Sequence, residues 1–262
     1  MDPLIITATP NISWLHPEIE YPRSPDAIAQ EASRCREAGA TIFHMHAENQ
    51  WQDAIRAVRS KTDMIIQCGM SSLEIPERME VYLAKADMIS IILNHHDEAF
   101  VNAEFHVLHR REELEEYASL SAKYGVALEF EVWNTGSIWN LNYLISKGVI
   151  GAPYFTTLFF GWPGGTWSPP TIEEYFYRRK FMPDGCVVNV SVMGEEQIKL
   201  LTAAILSGDH VRVGTEDFPY SRSGKATSTP ELVHEIVEVA RSIGRQIASV
   251  SDARRILSLQ GE

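Results

Sequence analysis

Two histidines separated by one residue, His44 and His46, are the first residues in the chain whose spacing could support chemistry. Both stand at the end of a short apolar run, and residues two apart on a β-strand point to the same side. The two imidazoles could therefore meet one metal ion. Such a pair also occurs for packing or hydrogen bonding alone, so a metal site requires at least one further ligand.

An acidic pair, Glu216 and Asp217, follows the last apolar run of the chain, and Arg212 lies within that run. If the first and last strands are neighbours in a closed sheet, Glu216 could reach the ion held by the histidines. Two histidines and one carboxylate with an open position form the ligand set of a catalytic zinc site. The same donors could hold iron, nickel or manganese. We therefore predict a divalent metal, zinc by preference, although the acidic pair could instead cap the following helix.

The elements that must position these residues alternate along the chain, with short apolar runs followed by longer amphipathic segments. The predicted strands are Leu4–Thr9, Thr41–His46, Met64–Cys68, Met88–Asn94, Ala127–Trp133, Tyr154–Gly161, Val187–Val192 and His210–Glu216. The predicted helices are Ser24–Gly39, Gln52–Lys61, Ile75–Ala86, Arg110–Gly125, Ile138–Lys147, Thr171–Phe181, Glu195–Leu206, Pro230–Gly244 and Ser251–Leu259. Eight β-then-α units predict a (β/α)8 TIM-type barrel. A doubly wound open sheet is the alternative, but no GxGxxG follows the first strand.

Length and composition agree with one such barrel. The chain has 262 residues, and a barrel typically needs about 250, so we expect a single domain over residues 1–262. The formal net charge of −12 argues against nucleic acid as a partner. No apolar run approaches the ~20 residues of a membrane span. The three scattered cysteines (Cys35, Cys68 and Cys186) suit a reducing compartment, so we expect a cytoplasmic protein.

Active sites of these barrels lie at the carboxyl ends of the strands. Polar residues after other predicted strands are therefore candidates for substrate binding. Those we single out are Asn11 after the first strand, Ser71 after the third and Asn94 after the fourth. Each of them, taken singly, could equally be a loop or capping residue.

Two motifs resemble those of the β-keto acid cleavage enzymes. Residues 38–46, AGATIFHMH, are similar to the family pattern AGAxIxHxH, and residues 210–217, HVRVGTED, are similar to HVRVGxED. The resemblance implies a (β/α)8 barrel, a zinc ion on His44, His46 and Glu216, and a homo-oligomer, often a tetramer. It also implies that a β-keto acid and acetyl-CoA give a new CoA thioester and acetoacetate. In that reaction Arg212 and Asp217 would be the catalytic pair.

This chemistry is physically consistent. A metal bound to the oxygens of a β-keto acid makes the ketone electrophilic and stabilises charge on its oxygen. A carboxylate held by a guanidinium can act as the base. Because a neighbouring arginine lowers the pKa of a carboxylate, burial would have to offset that effect.

The sequence departs from the family pattern at four positions near the expected site: Trp14, Glu48, Asn134 and Glu195. Trp14 replaces a carboxylate, which argues against 3-keto-5-aminohexanoate as the substrate and favours a neutral group beside Trp14. Glu48 and Glu195 replace arginines that could hold the substrate carboxylate or the CoA phosphates. A CoA-independent metal-dependent lyase or hydrolase is therefore the alternative activity. A ligand-binding relative without catalysis is a third possibility.

Overall fold

Eight parallel strands close into a barrel in the computed structural model, which describes residues 1–11, 16–47, 50–69, 75–93, 95–97, 106–162 and 168–259. The barrel strands are β1 (Ile6–Ala8), β2 (Ile42–Met45), β3 (Ile65–Cys68), β4 (Met88–Ile92), β7 (Ala127–Val132), β8 (Tyr154–Phe160), β9 (Cys186–Val192) and β10 (His210–Val213). Each pairs in parallel with its neighbours, and β1 pairs with both β2 and β10. The predicted TIM-type barrel is confirmed.

Helices surround the barrel. Within the described residues they are α1 (Pro25–Ala38), α2 (Trp51–Lys61), α3 (Ile75–Ala84), α4 (Arg111–Tyr124), α5 (Thr135–Ser146), α6 (Ile172–Arg179), α7 (Gln197–Leu206), α8 (Thr229–Ser242) and α9 (Val250–Ile256). Across that part of the chain, no helix combines the length and apolarity needed to cross a membrane.

Local sequence explains where the helices begin and end. The Ser24 side chain accepts a hydrogen bond from the Ala27 backbone N–H at 3.3 Å, and Pro25 occupies the first position of α1. Gly39 ends α1 with a φ of 117°, a left-handed conformation that favours glycine. Helix α5 begins at Thr135 rather than Ile138, because the Asn134 side chain caps the Ser137 N–H.

The lower end of the barrel interior is apolar. We call this layer the barrel floor, and its buried residues are Ile5, Ile42, Ile65, Met88, Phe155, Ala248, Val250, Ala253 and Leu257. The last four come from α9 and its flanks, so the final helix closes the amino-terminal end of the barrel. Burial of these side chains stabilises the fold by roughly 1.5–3 kcal/mol for each large one.

The next layer upward along the same strands is polar. We call it the upper layer, and its inward-facing buried residues are His44, Gln67, Ser90, Glu129, Glu131, Thr157, Asn189, Ser191 and Arg212. Strand alternation places Ile42 in the floor and His44 in this layer. A polar interior costs free energy unless its groups are paired, so this layer marks where the chemistry is concentrated.

Strand β10 is shorter than predicted. It ends at Val213, so the prediction of a strand that continues to Glu216 is wrong. A Cβ on Gly214 would collide with the Thr9 backbone, and the chain turns there, with the Asp217 N–H bonding to the Gly214 carbonyl at 3.2 Å. The turn, rather than strand alternation, carries Glu216 over the barrel.

A hairpin that sequence analysis did not predict follows β4. Strands β5 (His95–Asp97) and β6 (His106–Leu108) pair antiparallel outside the barrel. The predicted fourth strand was therefore too long, since β4 ends at Ile92. The hairpin lies at the carboxyl end of β4, on the side of the barrel where the polar layer lies.

Candidate metal centre

Three predicted ligands meet above the upper layer. The ligand atoms of His44, His46 and Glu216 all lie within 4.8 Å of one another. Glu216 Oε1 is 3.6 Å from His44 Nε2 and 3.5 Å from His46 Nε2. A tetrahedral zinc ion with nitrogen and oxygen ligands at about 2.0–2.2 Å would separate its ligand atoms by roughly 3.3–3.6 Å. The two measured distances match those edges.

The His44 ring is held in the orientation that a metal ligand needs. Its Nδ1 lies 2.8 Å from Gln67 Oε1 on the neighbouring strand β3. Because that oxygen can only accept, Nδ1 carries the proton and Nε2 keeps its lone pair for an ion. Burial, reinforced by Arg212, lowers the pKa of His44 to about 3. The imidazole is thus neutral near pH 7, the form that binds metals.

The backbone of His46 is fixed by Asn11. The His46 N–H donates to Asn11 Oδ1 at 2.8 Å, and the Asn11 amide donates to the His46 carbonyl. Asn11 is 3% exposed. Its amide therefore orients a candidate metal ligand, while its predicted contact with substrate stays a prediction.

Gly69 at the end of β3 leaves the space in which the imidazoles meet. A Cβ at this position would lie 2.5 Å from His44 Nε2 and 2.6 Å from His46 Nε2. The side chain of any larger residue would occupy the space between the two Nε2 atoms, where an ion would lie. The glycine thus supports the fit of a metal ion between the histidines. Sequence analysis missed Gly69, because its role depends on a neighbour in another strand.

Arg212 joins the candidate ligand Glu216 to Asp217. Its Nη2 donates to Glu216 Oε1 at 2.6 Å and to Asp217 Oδ1 at 2.8 Å. Asp217 Oδ2 accepts from Arg212 Nε at 3.1 Å and from Ser191 Oγ at 2.8 Å. Thr9 Oγ1 donates to the other oxygen of Glu216. The three predicted residues Arg212, Glu216 and Asp217 therefore form one buried network, to which Thr9 and Ser191 are additions.

The two adjacent carboxyls differ in acidity although they share Arg212. Burial raises the pKa of Glu216, but Arg212 and the two histidines outweigh it and hold the pKa well below the usual range. Burial also raises the pKa of Asp217, and there Arg212 does not fully offset it. Carboxyls whose environments push their pKa values apart can take different roles. Glu216 suits an ionised ligand, and Asp217 suits a proton acceptor.

Two further acids, Glu129 and Glu131 on β7, face the same interior and were missed by sequence analysis. Burial, together with Glu131, raises the pKa of Glu129 to about 8. Thr157 Oγ1 donates to Glu129 Oε1, whereas Oε2 of Glu129 has no hydrogen-bond partner among the described residues. Near pH 7, Glu129 is a neutral carboxyl that can donate a proton or a hydrogen bond.

An aromatic wall lies beside this network at the carboxyl ends of the strands. Trp133 stacks on Phe159 with ring centroids 4.3 Å apart, and Trp162 meets Trp133 edge-on at 5.8 Å. Trp133 Nε1 donates to Glu131 Oε2 at 3.0 Å. The Arg212 guanidinium lies 5.1 Å from the Phe159 ring. The wall gives one side of the site an apolar surface.

The structure describes only some of the other residues that the sequence singled out. Trp14, Ser71, Asn94 and Glu48 lie outside the described residues. Glu195 is exposed in the turn before α7. Asn134 caps α5.

The fold and the site together define the class of protein: a TIM-type barrel with a His-His-Glu cluster at the carboxyl ends of its strands. A sequence model of the beta-keto acid cleavage enzymes matches residues 3–259. The chain belongs to this enzyme family, as the resemblance of its two motifs predicted.

Individual relatives point the same way. The chain is 30% identical to a 3-keto-5-aminohexanoate cleavage enzyme of Fusobacterium nucleatum, over 99% of each chain. It is 24% identical to a 3,5-dioxohexanoate:acetyl-CoA acetone transferase of Paraburkholderia graminis, over 98% of this chain and 96% of the relative. A solved structure, the binary complex of ObcA with oxaloacetate, shares the fold with a TM-score of 0.74 at 16% identity, over 92% of this chain and 68% of that one.

Proposed function

We propose that this protein is a zinc-dependent enzyme that converts a neutral β-keto acid and acetyl-CoA into a CoA thioester and acetoacetate. The observation that carries the proposal is the meeting of His44, His46 and Glu216 beside the Arg212–Asp217 pair in a member of this family. In the overall exchange, the acyl group of the keto acid moves to the CoA sulfur. The acetyl group takes its place on the CH2–COO⁻ fragment, so atoms and charge balance.

The donor set supports a divalent cation. Glu216 and Asp217 both accept hydrogen bonds from the Arg212 guanidinium, and Glu216 Oε1 also lies within 3.6 Å of the Nε2 atoms of His44 and His46. Zinc bound there would polarise the ketone and stabilise the charge that develops on its oxygen. Iron, nickel or manganese would suit the same ligands.

Asp217 is the proposed base. Arg212 and Ser191 fix its carboxylate in one orientation, and burial keeps its pKa raised despite the guanidinium. A base whose pKa is closer to neutrality accepts a proton more readily. From the sequence we expected Arg212 to lower the pKa of Asp217 and so to weaken it as a base. Burial of the Asp217 carboxyl offsets that effect.

The substrate we propose carries an uncharged side group. Trp14 stands where the family pattern has a carboxylate, and the aromatic wall of Trp133, Phe159 and Trp162 lines the described part of the site. A positively charged amino group would gain no carboxylate partner from Trp14. We therefore propose an aliphatic or aromatic β-keto acid rather than 3-keto-5-aminohexanoate.

The proposed setting is the cytoplasm, where buried free thiols such as Cys35 and Cys68 stay reduced. The proposed assembly is a homo-oligomer, which the resemblance of the two motifs implies.

The test is a panel of β-keto acids incubated with purified protein, with and without acetyl-CoA. The panel pairs 3-ketohexanoate and benzoylacetate with 3-keto-5-aminohexanoate and 3-oxoadipate, which carry an amino group and a second carboxylate. We expect acetoacetate and a new CoA thioester only with acetyl-CoA, and fastest with the two uncharged side groups. Cleavage without acetyl-CoA would instead support the lyase or hydrolase alternative. No turnover of any acid by the metal-loaded protein would contradict both.

A further inference from the structure

The outer face of α6 is apolar although it faces solvent. Its large exposed side chains are Ile172, Phe176, Tyr177 and Phe181, which are 45%, 50%, 54% and 48% exposed. Tyr175 and Arg178 fill the opposite face of the helix and are fully buried against the barrel. Apolar side chains gathered on one exposed face mark an interaction surface.

Two charges stand on the same face, one at each end. Glu173 lies in the first turn and Lys180 is the C-cap, and both are exposed. Backbone bonds continue through this end, from the Lys180 N–H to the Phe176 carbonyl at 3.1 Å and from the Phe181 N–H to the Arg178 carbonyl at 3.0 Å. The α6 face is thus one continuous strip from Ile172 to Phe181, with an acid near its start and a base near its end.

This strip matches itself when a second copy of the helix lies antiparallel to it. With the two-fold axis midway between Phe176 and Tyr177, each of these residues faces the other residue in the second copy. Glu173 then faces Lys180 of the second copy, and Ile172 faces Phe181. An interface between identical subunits requires this reciprocity, in which residue i meets j and j meets i. We propose that α6 is the centre of a two-fold interface between two copies of this chain.

The opposite charges at the two ends of the strip favour a second copy as the occupant. Each chain carries a formal charge of −12, so two copies repel at long range and need local opposite charges where they meet. Glu173 and Lys180 provide two such pairs across the axis. A standard interface uses roughly 20–30 residues a side, so the strip forms its centre and adjoining surface completes it. No residue of the metal centre takes part, so this inference deepens the proposed homo-oligomeric assembly and is independent of the catalytic proposal.

The test is sedimentation velocity of the full-length protein and its charge-reversal variants. Glu173→Lys places two lysine pairs across the axis, and Lys180→Glu places two glutamate pairs. We expect each single variant to weaken self-association at this interface at least about 10-fold. The double variant, with both substitutions in one chain, restores opposite charges and should regain the assembly. An equimolar mixture of the two single variants should also assemble, because in the mixed dimer each of these lysines in one chain faces a glutamate in the other.

Matched controls lie on α4, at the same places in a different helix. Glu112→Lys changes an exposed acid in a first turn, and Lys123→Glu changes an exposed base in a last turn. Both controls should assemble like the unchanged protein. The proposal is overturned if the unchanged protein is a monomer at about 100 µM, far above the range in which stable subunit interfaces form. It is also overturned if the single variants assemble normally, or if neither the mixture nor the double variant regains what they lose.

Discussion

The floor and the upper layer of the barrel interior come from the same strands, yet the floor stabilises the fold and the upper layer destabilises it. On β2, Ile42 lies in the floor and His44 is a candidate ligand two residues later; on β3, Ile65 and Gln67 repeat the pattern. The floor gains free energy by burying apolar surface. The buried polar groups of the upper layer offset part of that stabilisation. Because the floor is stable, the same strand can carry a polar functional residue two positions later, where its side chain again points inward.

Phe155→Ala should produce the largest loss of stability. Phe155 is 3% exposed in the floor, and truncating a buried phenylalanine costs about 3–5 kcal/mol of unfolding free energy. Urea denaturation measures the loss, with Trp139→Ala as a control because Trp139 is 71% exposed. The folded variant should still hold its metal. Loss of metal from the folded variant would show that the two layers are not separable.

Asp217→Asn should reduce turnover rather than stability. The amide keeps the shape of the side chain but cannot accept a proton, so we expect kcat to fall at least ~100-fold. Metal content should not change, because Asp217 is not one of the three ligands. Steady-state kinetics and metal analysis on the same preparation give both numbers. Near-normal turnover would remove Asp217 from the mechanism.

Gly69→Ala should damage the metal centre without removing a ligand. The added methyl would stand 2.5–2.6 Å from both ligand nitrogens, so we expect metal affinity to fall about 10–100-fold, the scale of changes around a metal site. A competition titration with a chelator measures the affinity. Gly151→Ala is the matched control, because a Cβ there meets nothing within 4 Å. Equal affinities in the two variants would contradict the proposed role of Gly69.

Glu129→Gln should change how stability depends on pH. The pKa of Glu129 is raised from 4.5 to about 8 in the folded chain. Between these values the unfolded chain loses its proton while the folded chain keeps it, so the metal-free protein loses stability as pH rises from about 4.5 to 8. The variant should lose less over that range. Urea denaturation at pH 5, 6.5 and 8 measures the two slopes, with Glu112→Gln on the surface as the control. Equal slopes in Glu129→Gln and the unchanged protein would argue against a buried neutral Glu129.

Sequence reasoning reached the barrel and the cluster of candidate ligands for identifiable reasons. Eight alternating units leave few other folds, and a parallel closed sheet brings β1 between β2 and β10. That adjacency placed Glu216 near His44 and His46. The detailed route was wrong, because the close approach of Gly214 to Thr9 turns the chain where a longer strand was predicted.

The missed residues share a physical cause. Glu129 and Glu131 alternate with apolar residues, a pattern that is typical of a strand with one face in solvent. In a barrel both faces are covered, so the acids point inward. The sequence did contain a signal for them. Two acids in a strand that is predicted to be buried on both faces indicate a functional role, because buried acids are costly. The role of Gly69 depends on its distances to the histidine rings at the end of another strand, and sequence patterns do not predict such distances.

The central claim is that His44, His46 and Glu216 hold a metal ion on which the activity depends. The most direct measurement is the metal content of the purified protein and of His46→Ala, with circular dichroism of both. We predict about one zinc or other divalent ion per chain in the unchanged protein. The variant should have little metal and no turnover, while its spectrum stays that of a folded barrel. Full metal content in His46→Ala, or none in the unchanged protein, would contradict the account.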